Sequence, residues 1–145
     1  MSTAHAEVFV HLVWSTFDRA PWISEEIEKP LYHAITKKCQ DLGCPPYALG
    51  GTEDHVHLLV SLARDVSIAT LIKDVKGSSA HFVTRHLKAN PTFRWQRGYG
   101  AFSIRKTDIP TVRHYILHQK QHHRTNAITS DWEPRGDDQT PGMIT

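Results

Sequence analysis

A buried strand that carries two histidines on one face is the feature that most restricts how this chain can fold. The strand is predicted at residues 55–62, directly after a turn. Because successive side chains point to opposite faces of a strand, His55 and His57 share one face. Two imidazoles one pleat apart could bind one metal ion, but such a pair is common and needs a third ligand. The opposite face is apolar and predicts a core: Val56, Leu58 and Val60.

The order of the predicted elements indicates an α+β fold. Apolar alternation predicts the strands, and apolar residues at three- to four-residue steps predict the helices. The order is strand, helix, strand, strand, helix, strand and a further helix, which is the split βαβ or ferredoxin-like (RRM-like) plan. We expect an antiparallel sheet with two helices on one face, the histidine strand near its middle and an added C-terminal helix. The strands are predicted at residues 7–15, 47–51, 55–62 and 99–106, and the helices start near Pro30, at Ser67 and at Thr107 or Asp108.

The size of the chain suits one small domain, and its charge is compatible with nucleic-acid binding. With 145 residues, 39% of them hydrophobic, we expect a domain at residues 1–128 and a flexible polar tail at residues 129–145. A net charge of +2 permits nucleic-acid binding without requiring it. No segment approaches the roughly 20 apolar residues of a membrane span, and the first residues do not resemble a signal peptide. We therefore expect a cytoplasmic protein with no membrane partner.

The two cysteines are expected to be reduced thiols. Cys39 and Cys44 lie close together and could form half of a zinc site. A second cysteine pair that would complete such a site is absent from the sequence. Reduced thiols are the ordinary state of cysteines in the cytoplasm.

The second helix carries the first candidate contact with nucleic acid. The sequence Gly77-Ser78-Ser79 is expected to interrupt this helix, because glycine and serine are weak helix formers. Lys73 and Lys76 lie just before it, and small residues such as Ser78 would let a phosphate backbone come close to them. A solvated and kinked helix face explains the same pattern equally well.

The segment 93–99 carries the second candidate contact. It interleaves aromatic residues with Arg94 and Arg97. Aromatic rings can stack on unpaired bases while arginines hold phosphates, which would make this segment a contact for a single strand. The same residues can also serve in ordinary packing, and the pattern alone does not separate the two.

The last predicted helix places a phenol and an amide near the sheet. Tyr115 and Gln119 are four residues apart, which puts them about 40° from each other around a continuous helix at about 100° per residue. Both are expected to flank the apolar stripe of the helix and to reach from there into a site on the sheet. The stripe consists of Ile109, Val112 and Ile116.

Other histidines have competing interpretations. His114, His118 and His122 recur every four residues and could bind zinc or form a basic face towards DNA; the absence of an acidic or cysteine ligand beside them favours the basic face. His11 is expected on the same face as the histidine pair, and we interpret it as a packed or hydrogen-bonded residue and not as a ligand.

Several motifs in this order resemble a known family over about residues 8–123. The chain is similar to the HUH endonucleases, specifically to the TnpA-type single-tyrosine transposases of insertion sequences and their REP-associated tyrosine relatives. The resemblance is carried by His11-Leu12-Val13-Trp14-Ser15-Thr16, Asp54-His55-Val56-His57, Lys76-Gly77-Ser78-Ser79, Trp95-Gln96-Arg97-Gly98-Tyr99 and Tyr115-Ile116-Leu117-His118-Gln119.

This resemblance implies a function and a set of site residues. It implies cleavage and rejoining of single-stranded DNA with hairpin ends, in which Tyr115 attacks a phosphate and becomes linked to the 5′ end. It implies that His55, His57 and Gln119 hold a divalent metal ion, either Mg²⁺ or Mn²⁺, although histidines also suit zinc. It further implies a homodimer in the bacterial cytoplasm, associated with the nucleoid.

A different class of function fits the same predicted fold. The order of elements and the arginine–aromatic segment are also typical of a non-catalytic nucleic-acid-binding module, including a host-recruited relative that kept binding alone. Such a module would show stacking aromatics on the central strands, where this sequence has His55 and His57. We therefore favour the transposase.

Overall fold

The structure is a computed structural model that describes residues 4–124, with side chains up to residue 121. The predicted tail at residues 129–145 lies outside the described residues. The strands are β1 Phe9–Ser15, β2 Pro46–Gly51, β3 His55–Ser61 and β4 Gly100–Ile104. The helices are α1 Glu25–Asp41, α2 Ile68–His81, α3 Ile109–Leu117 and α4 Gln119–Arg124, with short helical turns at Phe17–Arg19, Phe82–Leu87 and Lys106–Asp108.

The four strands form one antiparallel sheet in the order β2-β3-β1-β4. This confirms the ferredoxin-like prediction and the central position of β3. Along the β1–β3 ladder, Val13 pairs with His57 and Ser15 pairs with His55. The two histidines therefore lie at the end of the sheet where β1 ends and β3 begins.

The sheet is covered on both faces. On the first face α1 and α2 pack over the main core, as predicted, and Val56, Leu58 and Val60 are fully buried there. On the second face α3 packs over β2 and β3. The smaller core under α3 consists of Ala48, Leu59, Val112, Tyr115 and Ile116.

The first two helices differ from their predicted bounds. Helix α1 begins at Glu25 and not near Pro30, because Ser24 starts it and three glutamates in its first turn suit a helix N-terminus. Helix α2 is capped by Ser67, whose hydroxyl accepts a hydrogen bond from the Thr70 amide at 3.0 Å. It runs without a break through Gly77, so the expected interruption is wrong. The packing of the helix on the core outweighs the weak propensity of its small residues.

The C-terminal helix is broken where the sequence predicts continuity. Helix α3 follows Asp108 with a proline in its first turn, as predicted, and ends at Leu117. His118 has φ −112° and ψ 28°, and α4 then starts at Gln119. Tyr115 and Gln119 therefore do not lie on one continuous helix, and the angle of about 40° expected between them around the helix axis does not hold.

Helix α3 approaches β2 very closely at a glycine. A Cβ atom on Gly50 would lie 2.2 Å from the carbonyl oxygen of Ile116. Any larger residue at this position would push the helix away from the sheet. None of the helices in residues 4–124 is long and apolar enough to cross a membrane.

Candidate functional site

The second face of the sheet brings the predicted histidines and the tyrosine together. The ring centroids of His55 and His57 are 5.1 Å apart, and those of His57 and Tyr115 are 5.8 Å apart. All three side chains are almost fully buried, at 4%, 0% and 4% exposure. Tyr115 belongs to the buried face of α3 and does not flank it as expected, because the helix packs over β2 and β3.

His55 is oriented by two neighbours in the turn before β3. Its Nδ1 lies 2.8 Å from Oδ1 of Asp54 and 2.9 Å from the hydroxyl of Thr52. This leaves Nε2 as the ring nitrogen that a metal would use. A carboxylate on the second ring nitrogen is the usual partner of a metal-binding histidine, since it fixes the tautomer and the ring orientation.

The same carboxylate is strongly acidic. Burial by itself raises the pKa of Asp54, but the hydrogen bond from His55 and the positive charge of Arg19 outweigh burial and lower the pKa to about 2. Asp54 is therefore ionised at neutral pH and can accept hydrogen bonds from both partners.

His57 is oriented by another histidine. Its Nδ1 lies 2.8 Å from Nε2 of His11, which is fully buried on β1. This confirms the interpretation of His11 as a hydrogen-bonded residue. The contact again points Nε2 of the ligand candidate away from its partner.

Gln119 is buried next to Tyr115, at the first position of α4. Its exposure is 1%, and its Nε2 donates a hydrogen bond to the carbonyl oxygen of Tyr115 at 3.1 Å. Its Oε1 accepts no hydrogen bond from any residue that the structure describes. A cavity of about 420 Å³ opens next to this side chain, between α1, the edge strand β2 and α4.

The donor set suits a divalent metal only if the amide takes part. Within residues 4–124, no three His, Cys, Asp or Glu side chains are grouped in a way that could hold a metal ion. The buried amide oxygen of Gln119 would be the third ligand beside the two imidazoles. Two nitrogens and one oxygen, with hydrogen-bonded partners behind both histidines, are compatible with the predicted ligand set of His55, His57 and Gln119.

Arg19 also reaches this site, although the sequence did not single it out. Its Nη2 lies 3.2 Å from Oδ1 of Asp54 and 3.5 Å from Nδ1 of His55. In the sequence, Arg19 is an isolated basic residue in a loop between β1 and α1. The turn Phe17–Arg19 brings this residue to the start of β3, so the contact becomes visible only in the structure.

The lysines predicted to bind DNA have different surroundings. Lys73 is exposed on α2. The Nζ of Lys76 donates hydrogen bonds to the carbonyl oxygens of Gln96 and Gly98, at 2.7 and 2.9 Å. Burial lowers the pKa of Lys76 to about 8. Lys76 therefore anchors the segment after Trp95, and Ser78 is turned back towards its own helix, with its hydroxyl 3.4 Å from the carbonyl oxygen of Val75.

The arginine–aromatic segment divides its two kinds of residue between the core and the surface. Phe93 and Trp95 are 3% and 9% exposed within the main core, so they pack there and are not presented to bases. Arg94 and Arg97 are exposed. The guanidinium of Arg94 lies over the ring of Phe17, with 3.9 Å from Cζ to the ring centroid.

His114, His118 and the two cysteines do not belong to the buried histidine–tyrosine group. His114 and His118 are exposed and stacked, with ring centroids 4.0 Å apart, and the side chain of His122 lies outside the described residues. Cys39 and Cys44 are free thiols, fully buried in the main core. Burial raises the pKa of Cys39 to about 12, which disfavours its thiolate.

The fold and the site together define a class of protein. It is a ferredoxin-like α+β domain whose central strand carries a histidine pair beside a tyrosine from an added helix. Residues 4–119 match the family model described as "Transposase IS200 like". Since this match spans most of the sequence, the chain belongs to the IS200-like transposases, a family of DNA-processing enzymes.

Other solved structures share the fold, among them the following two. A protein of Deinococcus radiodurans R1, provisionally described as a transposase, has a TM-score of 0.65 at 22% identity, covering 80% of this chain and 93% of that one. A REP-associated tyrosine transposase bound to a REP hairpin has a TM-score of 0.61 at 18% identity, covering 100% of this chain and 99% of that one. At these identities the likeness shows the fold. No protein with a curated description matches the sequence.

Proposed function

We propose that this transposase cuts and rejoins single-stranded DNA at the ends of a mobile element through a covalent bond between Tyr115 and the 5′ phosphate. The observation that carries the proposal is the contact between the rings of Tyr115 and His57, 5.8 Å between centroids, inside a buried site. A phenol and a histidine pair from distant parts of the chain have no need to meet in an ordinary core, where apolar side chains pack better.

The chemistry assigned to the tyrosine is a transesterification. The phenolic oxygen of Tyr115 attacks the phosphorus, the bond to the 3′ oxygen breaks, and the phenolic proton is given up as the released 3′ oxygen gains one. Tyrosine has a pKa of about 10 and is a weak nucleophile until its surroundings activate it. The phosphotyrosine retains the energy of the phosphodiester, so a second 3′ hydroxyl can reverse the step at a new site without ATP.

A divalent ion, Mg²⁺ or Mn²⁺, is proposed to bind to His55, His57 and Gln119. Bound there, it would act as a Lewis acid on the phosphate oxygens. Two features support this ligand set. Asp54 and His11 orient the two imidazoles, and the buried Oε1 of Gln119 has no hydrogen-bond partner within residues 4–124.

The burial of Tyr115 supports a further proposal about assembly. A phosphodiester cannot reach a phenol that is 4% exposed, so α3 has to move relative to the sheet before DNA can react. We propose that the protein acts as a homodimer, in which the helix of one subunit can serve the histidines of the other. Mixing Tyr115→Phe subunits with His57→Ala subunits tests this, because activity would return only if the site is shared.

The proposed substrate is a single strand that carries a hairpin. The printed description of one protein with this fold names a bound REP hairpin. Among the basic residues predicted to contact DNA, Lys73, Arg94 and Arg97 are exposed and available for phosphates. Lys76 and Ser78 are less suited to direct contact, since both make hydrogen bonds within the protein.

The proposal is tested by incubation with hairpin-containing single-stranded DNA. Wild type with Mg²⁺ or Mn²⁺ should yield a protein–DNA adduct and a fragment with a free 3′ hydroxyl. Tyr115→Phe should yield neither, while the matched variant Tyr47→Phe, at an exposed tyrosine on β2, should behave as wild type. DNA binding without an adduct in the wild type would favour the non-catalytic module instead.

A further inference from the structure

The turn between β1 and α1 holds an arginine against the histidine site. Asp18 and Arg19 both have φ 54°, in the left-handed region that non-glycine residues rarely adopt. The turn is held by the hydrogen bond from the Asp18 amide to the Gln96 side chain at 3.0 Å and by that from the Arg19 amide to the Thr16 carbonyl at 3.0 Å. Two neighbouring left-handed residues cost of the order of 1–2 kcal/mol each, and such strain is found preferentially at functional sites.

The guanidinium of Arg19 is only partly used by the protein. Its hydrogen bond to Asp54 and its 3.5 Å contact with Nδ1 of His55 both involve Nη2. Within residues 4–124, its Nε and Nη1 donate no hydrogen bond, and the side chain is 43% exposed at the rim of the site. A planar guanidinium with donors on a second edge can hold a phosphate while it remains on its carboxylate.

We propose that Arg19 binds a phosphate of the DNA strand next to the bond that Tyr115 attacks, using the guanidinium edge that Asp54 leaves available. This inference rests on the function proposed above. Arg19 would thereby position the strand over His55, whose Nδ1 lies 3.5 Å from the same guanidinium.

Two further arginines, Arg94 and Arg97, lie on a segment that contacts the turn of Arg19. Arg94 lies over Phe17 in the same turn, and Gln96 bonds to the amide of Asp18. The exposed guanidiniums of Arg94 and Arg97 therefore belong to a segment that is tied directly to the turn of Arg19. A strand that leaves the histidine site past Arg19 would meet these two arginines next.

The test combines protein variants with DNA in which a methylphosphonate removes the charge of one phosphate. Arg19→Gln and Arg19→Lys are compared with Arg105→Gln, an exposed arginine at the far end of β4 that pairs with Asp108. Affinity for hairpin DNA is measured without metal over a range of salt concentrations. The DNA carries a methylphosphonate at one position at a time around the cleaved bond. Adduct formation with metal is measured in parallel.

We expect Arg19→Gln to bind about tenfold more weakly and to lose about 0.7 from the slope of log affinity against log salt, the share of one single-strand phosphate contact. A methylphosphonate at one position should weaken binding by wild type as much as the Arg19→Gln substitution does on unmodified DNA. The same methylphosphonate should leave binding by Arg19→Gln unchanged. A purely structural role of Arg19 would not make one phosphate matter only to wild type. Arg19→Lys should keep the salt slope and lose part of the affinity. Should Arg19→Gln fold poorly, Arg19→Lys, which keeps the charge, is the second variant for the same methylphosphonate scan.

The outcomes separate this inference from the proposed function. Wild type that forms an adduct while Arg19→Gln binds like Arg105→Gln overturns the role of Arg19 alone. The same holds if every methylphosphonate weakens wild type and Arg19→Gln to the same extent. Wild type that forms no adduct overturns the proposed function and, with it, the assignment of Arg19 to the attacked bond.

Discussion

Nε2 of His11 lies 2.8 Å from Nδ1 of His57 across the β1–β3 ladder, in the fully buried centre of the site. A metal on Nε2 of His57 requires the ring proton on Nδ1, which would then be donated to His11. His11 should therefore set the tautomer of the ligand without touching the metal.

Replacing His11 should weaken metal binding. We expect His11→Leu to bind Mn²⁺ about 10- to 100-fold more weakly than wild type, the usual loss when the hydrogen-bonded partner of a ligand is removed. Isothermal titration at one pH measures this. His33→Leu, at an exposed histidine of α1, is the control. Equal affinities in the two variants would contradict the assigned tautomer.

Two glycines should respond in opposite directions to the same substitution. Gly50→Ala places a methyl group against the Ile116 carbonyl, so we expect about 1–3 kcal/mol of destabilisation through the displacement of α3. Gly77→Ala meets no atom within 4 Å in the middle of α2 and should stabilise the fold by up to about 1 kcal/mol. Urea unfolding measures both. An unchanged stability of Gly50→Ala would mean that α3 does not rest on β2 in solution.

The cysteines should be inert in the folded protein. Cys39 and Cys44 are fully buried, and the pKa of Cys39 is raised to about 12 by burial, so few thiolates are present at pH 8. A thiol reagent should label neither in native buffer and both in denaturant. Gln40→Cys adds an exposed cysteine on the same helix and should react at once. Rapid labelling of the wild type would contradict the packing of α1.

Lys76 should produce a characteristic dependence of stability on pH. Burial lowers its pKa from 10.5 in a free side chain to about 8. Between these two values the unfolded chain holds a proton that the folded protein lacks, so the contribution of Lys76 to the free energy of unfolding rises with pH. Wild type should therefore gain stability relative to Lys76→Met from pH 8 to pH 10.5.

The control for Lys76 lies on the same helix. Lys73 is exposed, so Lys73→Met removes a lysine without removing a buried one. Urea unfolding at several pH values checks both variants. A constant difference between wild type and Lys76→Met would show that Lys76 is solvated.

Local patterns were enough to predict the sheet and the position of its histidines. Alternating apolar residues identify β1 and β3, and the order of elements then places both strands centrally, as the structure confirms. The same kind of pattern failed at the helix ends. Tertiary packing carries α2 through Gly77, and the break after Leu117 has no glycine or proline to mark it.

The contacts that complete the site could not be predicted from the sequence. The orientation of His57 by His11 depends on strand register, and that of His55 by Asp54 and Arg19 depends on a left-handed turn. The sequence around Asp18 and Arg19 does not signal the turn, because one of the hydrogen bonds that hold it comes from Gln96, which is distant in the sequence. The burial of Tyr115 could not be predicted either, because it results from the packing of α3 on the sheet.

The most direct test of the central claim is to locate the covalent bond to DNA. The adduct formed with hairpin DNA and Mn²⁺ is digested with protease and nuclease, and the modified peptide is sequenced by mass spectrometry. The sequence has four tyrosines, Tyr32, Tyr47, Tyr99 and Tyr115. The account predicts a 5′-phosphonucleotide on Tyr115 alone. A nucleotide on another residue, or DNA cleaved by water with no adduct in a single turnover, would contradict it.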